Sequence, residues 1–124
     1  MATILIVDDD DAIRGILYET LSEKYECHTA STADEALQYI EVEKYDAILT
    51  DIAMPGFDGV ALLKRVQGSH SETPVILISG KLGDRVMKDL IDLGAFAYLS
   101  KPFQLHEVEQ VVERAVAKKE VPAQ

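Results

Sequence analysis

Cysteine, histidine, basic residues and long apolar runs are all scarce in this chain. The single cysteine, Cys27, rules out an internal disulfide, and no Cys/His cluster has the spacing of a zinc site, so a reducing compartment suits the chain. His28, His70 and His106 stand apart from one another, and each reads as an ordinary surface or edge residue rather than a ligand or phosphoryl acceptor. No apolar stretch approaches the roughly 18 residues of a membrane span. The short run that follows Met1 gives way at once to four aspartates, which does not suit a signal peptide, so a cytoplasmic location is expected. Twelve Lys and Arg face 22 Asp and Glu, a net charge of −10 with a pI near 4.6. Such a surface repels nucleic acid, and any effect on transcription would have to run through another domain or protein.

What is present describes an ordinary folding unit. A chain of 124 residues is enough for one hydrophobic core, and 48% hydrophobic with 27% charged residues is a globular composition. Apolar runs at 4–7, 27–30, 47–50, 75–78 and 97–99 alternate with amphipathic stretches at 13–21, 36–40, 60–66, 86–93 and 108–115. Five strands and five helices are expected. Runs such as 4–7 and 75–78 are apolar on both faces, as strands of a parallel sheet between two helical layers must be, so the fold class is α/β, doubly wound. The second strand, around 26–29, is more polar and belongs at an edge, which agrees with the order 2-1-3-4-5. Asp34 is placed to cap the second helix, Pro74 to open the fourth strand and Gly94 to end the fourth helix. After Lys119 periodicity stops, so residues 120–124 read as a short tail or a linker stub.

In an open parallel sheet, functional side chains gather beyond the carboxyl ends of the strands. Those positions hold Asp8 and Asp9 after the first strand, Asp51 after the third, Ser79 after the fourth and Lys101 after the fifth. Neighbouring first and third strands would bring three carboxylates into one small volume. Two unit charges about 4 Å apart repel by about 4 kcal/mol even at an effective dielectric of 20, so the cluster should raise pKa values or bind a cation. Magnesium suits one or two carboxylates plus a backbone carbonyl and keeps room for a phosphate oxygen. With Lys101 as a compact cation and Ser79 as a hydroxyl donor, the set supplies what phosphoryl transfer to an aspartate needs. Asp10 and Asp11 read as helix starters.

The stretches ILIVDDD at 4–10, YDAILTDIAMPGFDG at 45–59, PVILISG at 74–80 and GAFAYLSKPF at 94–103 resemble, in that order, the response-regulator receiver domains of two-component signalling, typified by the single-domain chemotaxis regulator. The resemblance spans nearly the whole chain and implies a flavodoxin-like receiver domain over residues 1–119. It implies that Asp51 is the phosphoacceptor, and that Asp8, Asp9, Asp51 and the backbone carbonyl of Ala53 hold Mg2+. By the same resemblance Ser79 is the switch hydroxyl, Lys101 pairs with the phosphate, Tyr98 is an aromatic switch, and the Lys101–Pro102 bond is cis. The implied donor is a phosphohistidine on a sensor histidine kinase or histidine phosphotransfer protein. The implied receiver of the signal is a downstream protein or an output domain, reached through the face of the fourth helix, fifth strand and fifth helix. Such a domain promotes its own phosphorylation and dephosphorylation and is not a conventional turnover enzyme.

Two flanking residues bear on the phosphoryl lifetime: Ala53, two after the acceptor, and Lys81, two after the serine, offer neither a carboxylate nor an amide to orient water, so a long-lived phosphoryl group is expected. Three other functions compete. Asp8 and Asp10 form the Asp-x-Asp pair of haloacid-dehalogenase-like phosphatases, although Ala12 departs from their pattern and the chain is short for them. A nucleotide- or flavin-binding domain would need a glycine fingerprint at the first strand-to-helix turn, where acids stand instead. A receiver-like binding module that takes no phosphate is the third.

Overall fold

The computed structural model describes residues 1–54, 57–69, 72–80 and 84–120. Five strands, β1 (Thr3–Val7), β2 (Glu26–Ala30), β3 (Ala47–Asp51), β6 (Val75–Ser79) and β7 (Ala97–Ser100), form one parallel sheet in the order β2-β1-β3-β6-β7. Counted within the sheet, this is the expected order 2-1-3-4-5. Helices α1 (Asp11–Leu21), α2 (Ala33–Val42), α3 (Gly59–Ser69) and α4 (Asp84–Asp92) lie between the sheet strands, and α5 (Leu105–Glu120) follows the last of them. A pair of two-residue strands, β4 (Ala53–Met54) and β5 (Phe57–Asp58), pairs antiparallel just after β3 and was not expected. Two residues are too few for a period-2 signal.

Because successive strand residues point to opposite faces, each strand feeds two cores. Leu5, Val7, Ile48, Val75 and Leu77 pack with Ala36 and Ile40 of α2, Leu62, Leu63 and Val66 of α3, and Leu90 of α4. Ile4, Ile6, Ala47, Leu49, Ile76, Ile78 and Leu99 pack on the other face with Leu17 and Leu21 of α1 and Val108, Val112 and Ala115 of α5. Every residue of β3 and β6 is buried, whereas β2 is buried only at Ala30, which is why its Glu, His and Thr are tolerated at the edge.

Local chemistry sets the element ends. Asp10 caps α1 by accepting from the amides of Ala12 and Ile13. Thr32, and not Asp34, caps α2: its hydroxyl accepts the Glu35 amide at 3.2 Å, while Glu35 reaches back to the Ser31 amide at 2.9 Å. Thr32-Ala33-Asp34-Glu35 is a capping-box sequence, so the threonine outcompetes an acid that sits in the first turn and there complements the helix dipole. Pro74 precedes β6, and its carbonyl accepts the Ile48 amide at 2.9 Å. The backbone of α5 runs through Glu120, one residue past the expected end of the domain, and residues 121–124 lie outside the described residues.

Gly94 ends α4 as expected, with φ of 109° and its amide donating to the Ile91 carbonyl. A Cβ there would stand 2.6 Å from Nε2 of Gln67, which donates to the Gly94 carbonyl at 3.0 Å. An L side chain is disfavoured at that φ, and the added methyl must also displace Gln67. Gly94→Ala is therefore expected to lower stability by about 1–2 kcal/mol, read as a lower urea midpoint with an unchanged slope.

Candidate functional site

Register places the site. Val7 of β1 lies opposite Thr50 of β3, so the residues that follow, Asp8 and Asp51, emerge side by side. Ser79 of β6 lies opposite Ser100 of β7, and the Lys101 amide donates to the Ser79 carbonyl at 2.7 Å, which aims the lysine back along the strand ends. Its Nζ reaches Asp51 Oδ2 at 2.9 Å and Asp8 Oδ2 at 3.3 Å. The Lys101–Pro102 bond is cis, as expected.

Carboxylate oxygens of Asp8, Asp9 and Asp51 lie within 4.8 Å of one another. Asp8, Asp51 and Ser79 are buried and Asp9 is exposed. Burial raises the Asp8 pKa above its ordinary value, and the neighbouring Asp51 charge adds to this, against the Asp10 amide and Lys101, which lower it. Burial pulls Lys101 down, but its hydrogen bond to Asp51 and the charges of Asp8 and Asp51 outweigh that, and its pKa is raised. The ammonium therefore stays charged between two acids.

Oδ1 of Asp8 accepts the Asp10 amide at 2.9 Å, but its buried Oδ2 makes no hydrogen bond and has only the looser ion pair with Lys101. A buried carboxylate oxygen so poorly satisfied, facing two more carboxylates, is a fitting donor for a hard divalent cation. Thr50 braces the main chain of Asp51, its buried hydroxyl donating to the Asp51 carbonyl at 3.0 Å.

The remaining candidates fall around this cluster. The hydroxyl of Tyr98, half-buried on β7, donates to the Gly80 carbonyl at 2.6 Å, just past Ser79. Ala53 opens β4 two residues after Asp51. Lys81 and His70 lie outside the described residues. Asp10 spends its side chain on the α1 cap, which separates it from the cluster and removes the second acid of an Asp-x-Asp phosphatase pair. His106 is exposed, and His28 lies on the edge strand β2, half-buried there with Nδ1 2.8 Å from the Tyr45 hydroxyl and its ring edge-on to that tyrosine. Sequence reasoning also passed over Arg14, whose Nη1 donates to the Asp8 carbonyl at 2.8 Å. A lone basic residue in the first turn after four aspartates was the available signal.

The family model of the response regulator receiver domain matches residues 4–113. The DNA-binding transcriptional regulator NtrC of Klebsiella pneumoniae is 37% identical over 113 residues, covering 90% of this chain and 24% of that protein. The transcriptional regulatory protein KdpE of Staphylococcus aureus is 35% identical over 115 residues, covering 90% of this chain and 49% of its own length. This chain thus spans about a quarter to a half of these curated relatives. Among solved structures, a CheY-like receiver domain protein from Methanospirillum hungatei JF-1 superposes with a TM-score of 0.91 at 30% identity, covering 97% of both chains. The receiver domain of the Francisella response regulator 1452 gives 0.90 at 29% identity, covering 97% of this chain and all of that one.

The raised Asp8 pKa makes a signed prediction. In the folded protein the ionised form is disfavoured, so its penalty is full above the raised pKa and fades as pH falls toward the ordinary value of 3.8. In magnesium-free buffer Asp8→Asn should be more stable than wild type at neutral pH, and the gap in urea midpoint should close on acidification.

Proposed function

The chain belongs to the response regulator receiver domain family, signalling modules of two-component systems rather than conventional enzymes, and on that premise we propose that Asp51 accepts a phosphoryl group from a phosphohistidine and passes the signal through a change of surface. The observation that carries this reading is the Lys101 ammonium bridging Asp51 and Asp8 in a buried cluster of acids. A carboxylate oxygen of Asp51 attacks phosphorus in line, the phosphorus–nitrogen bond breaks, and the imidazole leaves with its electron pair and takes a proton. Asp8, Asp9, Asp51 and the Ala53 carbonyl would hold magnesium, whose chemistry is to neutralise charge on the transferring oxygens. Lys101 offsets negative charge on the same group from the other side, and burial of Asp51 limits access of water to the product.

The acyl phosphate adds charge and acceptor oxygens where Lys101 and Ser79 converge. The Ser79 hydroxyl turns to donate to it, and Tyr98 leaves the Gly80 carbonyl and moves inward, shifting a pre-existing equilibrium of the α4-β7-α5 face. A sensor histidine kinase or histidine phosphotransfer protein is the donor, and a downstream protein or an output domain reads the altered face. With a net charge of −10 this segment itself does not bind nucleic acid. Among the described residues no helix is long and apolar enough to cross a membrane, and the module works in the cytoplasm.

Incubation with acetyl phosphate should add the mass of one phosphoryl group to the intact protein only when magnesium is present, and Asp51→Asn should abolish the gain. Persistent lack of modification in wild type would favour a binding module that takes no phosphate. Ala53→Asn combined with Lys81→Glu is expected to shorten the phosphoryl lifetime several-fold in the same mass assay, because each supplies a group able to orient the attacking water.

A further inference from the structure

Asp8 is clamped through its main chain as well as its side chain. Its amide donates to the Ala30 carbonyl of β2 at 3.1 Å, and its Oδ1 accepts the Asp10 amide. Its carbonyl is held by Arg14, whose Nη1 donates at 2.8 Å while Nη2 pairs with Asp11. The Arg14 side chain is only 21% exposed although its partner Asp11 is 89% exposed, so the guanidinium lies tucked under the turn that joins β1 to α1.

We infer that Arg14 is a positioning residue for the metal site, setting the direction of Asp9 by fixing the plane of the peptide between Asp8 and Asp9. The inference rests on the magnesium reading proposed above. A trans peptide is planar, so the orientation of the Asp8 carbonyl also sets the amide nitrogen and Cα of the next residue. Asp9 is exposed, yet its carboxylate is gathered within 4.8 Å of the buried Asp8 and Asp51 oxygens. A charge-assisted bond to the preceding carbonyl is the restraint that keeps it there. The planar fork of arginine holds the Asp8 carbonyl and the Asp11 carboxylate together, which a lysine cannot do in the same geometry.

Charge and geometry make opposite demands here, and this separates them. Arg14 is a cation beside a proposed cation site, so a purely electrostatic role would weaken magnesium binding, and removing the charge would tighten it. A positioning role gives the reverse sign. Magnesium affinity should be measured by isothermal titration calorimetry for wild type, Arg14→Gln and Arg14→Lys, with urea unfolding in metal-free buffer to establish that each is folded. Arg14→Gln is expected to bind about tenfold more weakly, as when a partner behind a metal ligand is lost, with Arg14→Lys between it and wild type. Amide hydrogen exchange at residues 9–12 should quicken in metal-free Arg14→Gln. Equal or tighter magnesium binding in Arg14→Gln overturns the inference; should that variant not fold, unchanged affinity in Arg14→Lys overturns it instead. Wild-type protein without saturable magnesium binding would remove the magnesium reading and this inference with it.

Discussion

The contact on which the site depends is the Lys101 ammonium set between Asp51 and Asp8. Gathering acids at adjacent strand ends is unfavourable by several kcal/mol at separations of about 4 Å unless positive charge is supplied. Lys101 supplies one unit of it from the end of β7, and in doing so ties three strands of the sheet, β1, β3 and β7, through side chains alone. Among the described residues one ammonium faces the carboxylates of Asp8, Asp9 and Asp51. Burial first, and the Asp51 charge after it, raises the Asp8 pKa, and its Oδ2 makes no hydrogen bond.

The sheet makes this arrangement rigid. Parallel pairing through β1, β3, β6 and β7 fixes which residues emerge together, and the fully buried β3 and β6 leave no freedom to slip, since a one-residue shift would turn every apolar side chain to the wrong core. Stability and function are therefore divided along the strands. Apolar residues hold the register, and the first residues beyond the apolar run form the cluster of acids and lysine. The site is preorganised by the same packing that folds the chain, with Thr50 and Arg14 fixing carbonyls on either side of the acids.

The receiver-family match covers residues 4–113 and so takes in all five strands of the sheet, while the relatives NtrC and KdpE are far longer than this chain. The α4-β7-α5 face lies next to the site through Tyr98, whose hydroxyl is held by the carbonyl that follows Ser79.

Much of this was legible in the residues. Runs apolar on both faces suit a sheet covered by helices on each side, and a polar second strand belongs at its edge, so the class and that edge followed from hydrophobic pattern, while the full order 2-1-3-4-5 came from the common arrangement of doubly wound sheets. Gly94 just past the end of α4 was equally readable, because a positive φ restricts the choice of residue. The choice of Thr32 over Asp34 as cap was open to a reader of the capping box, yet the pair β4 and β5 was not, since two-residue strands have no period. Distances across strands belonged to tertiary structure: that Lys101 reaches both acids, that Arg14 bonds a carbonyl six residues back, and that His28 meets Tyr45 seventeen residues on. Periodicity reports which face a side chain occupies, whereas these contacts depend on register and rotamer, which only the packed sheet decides.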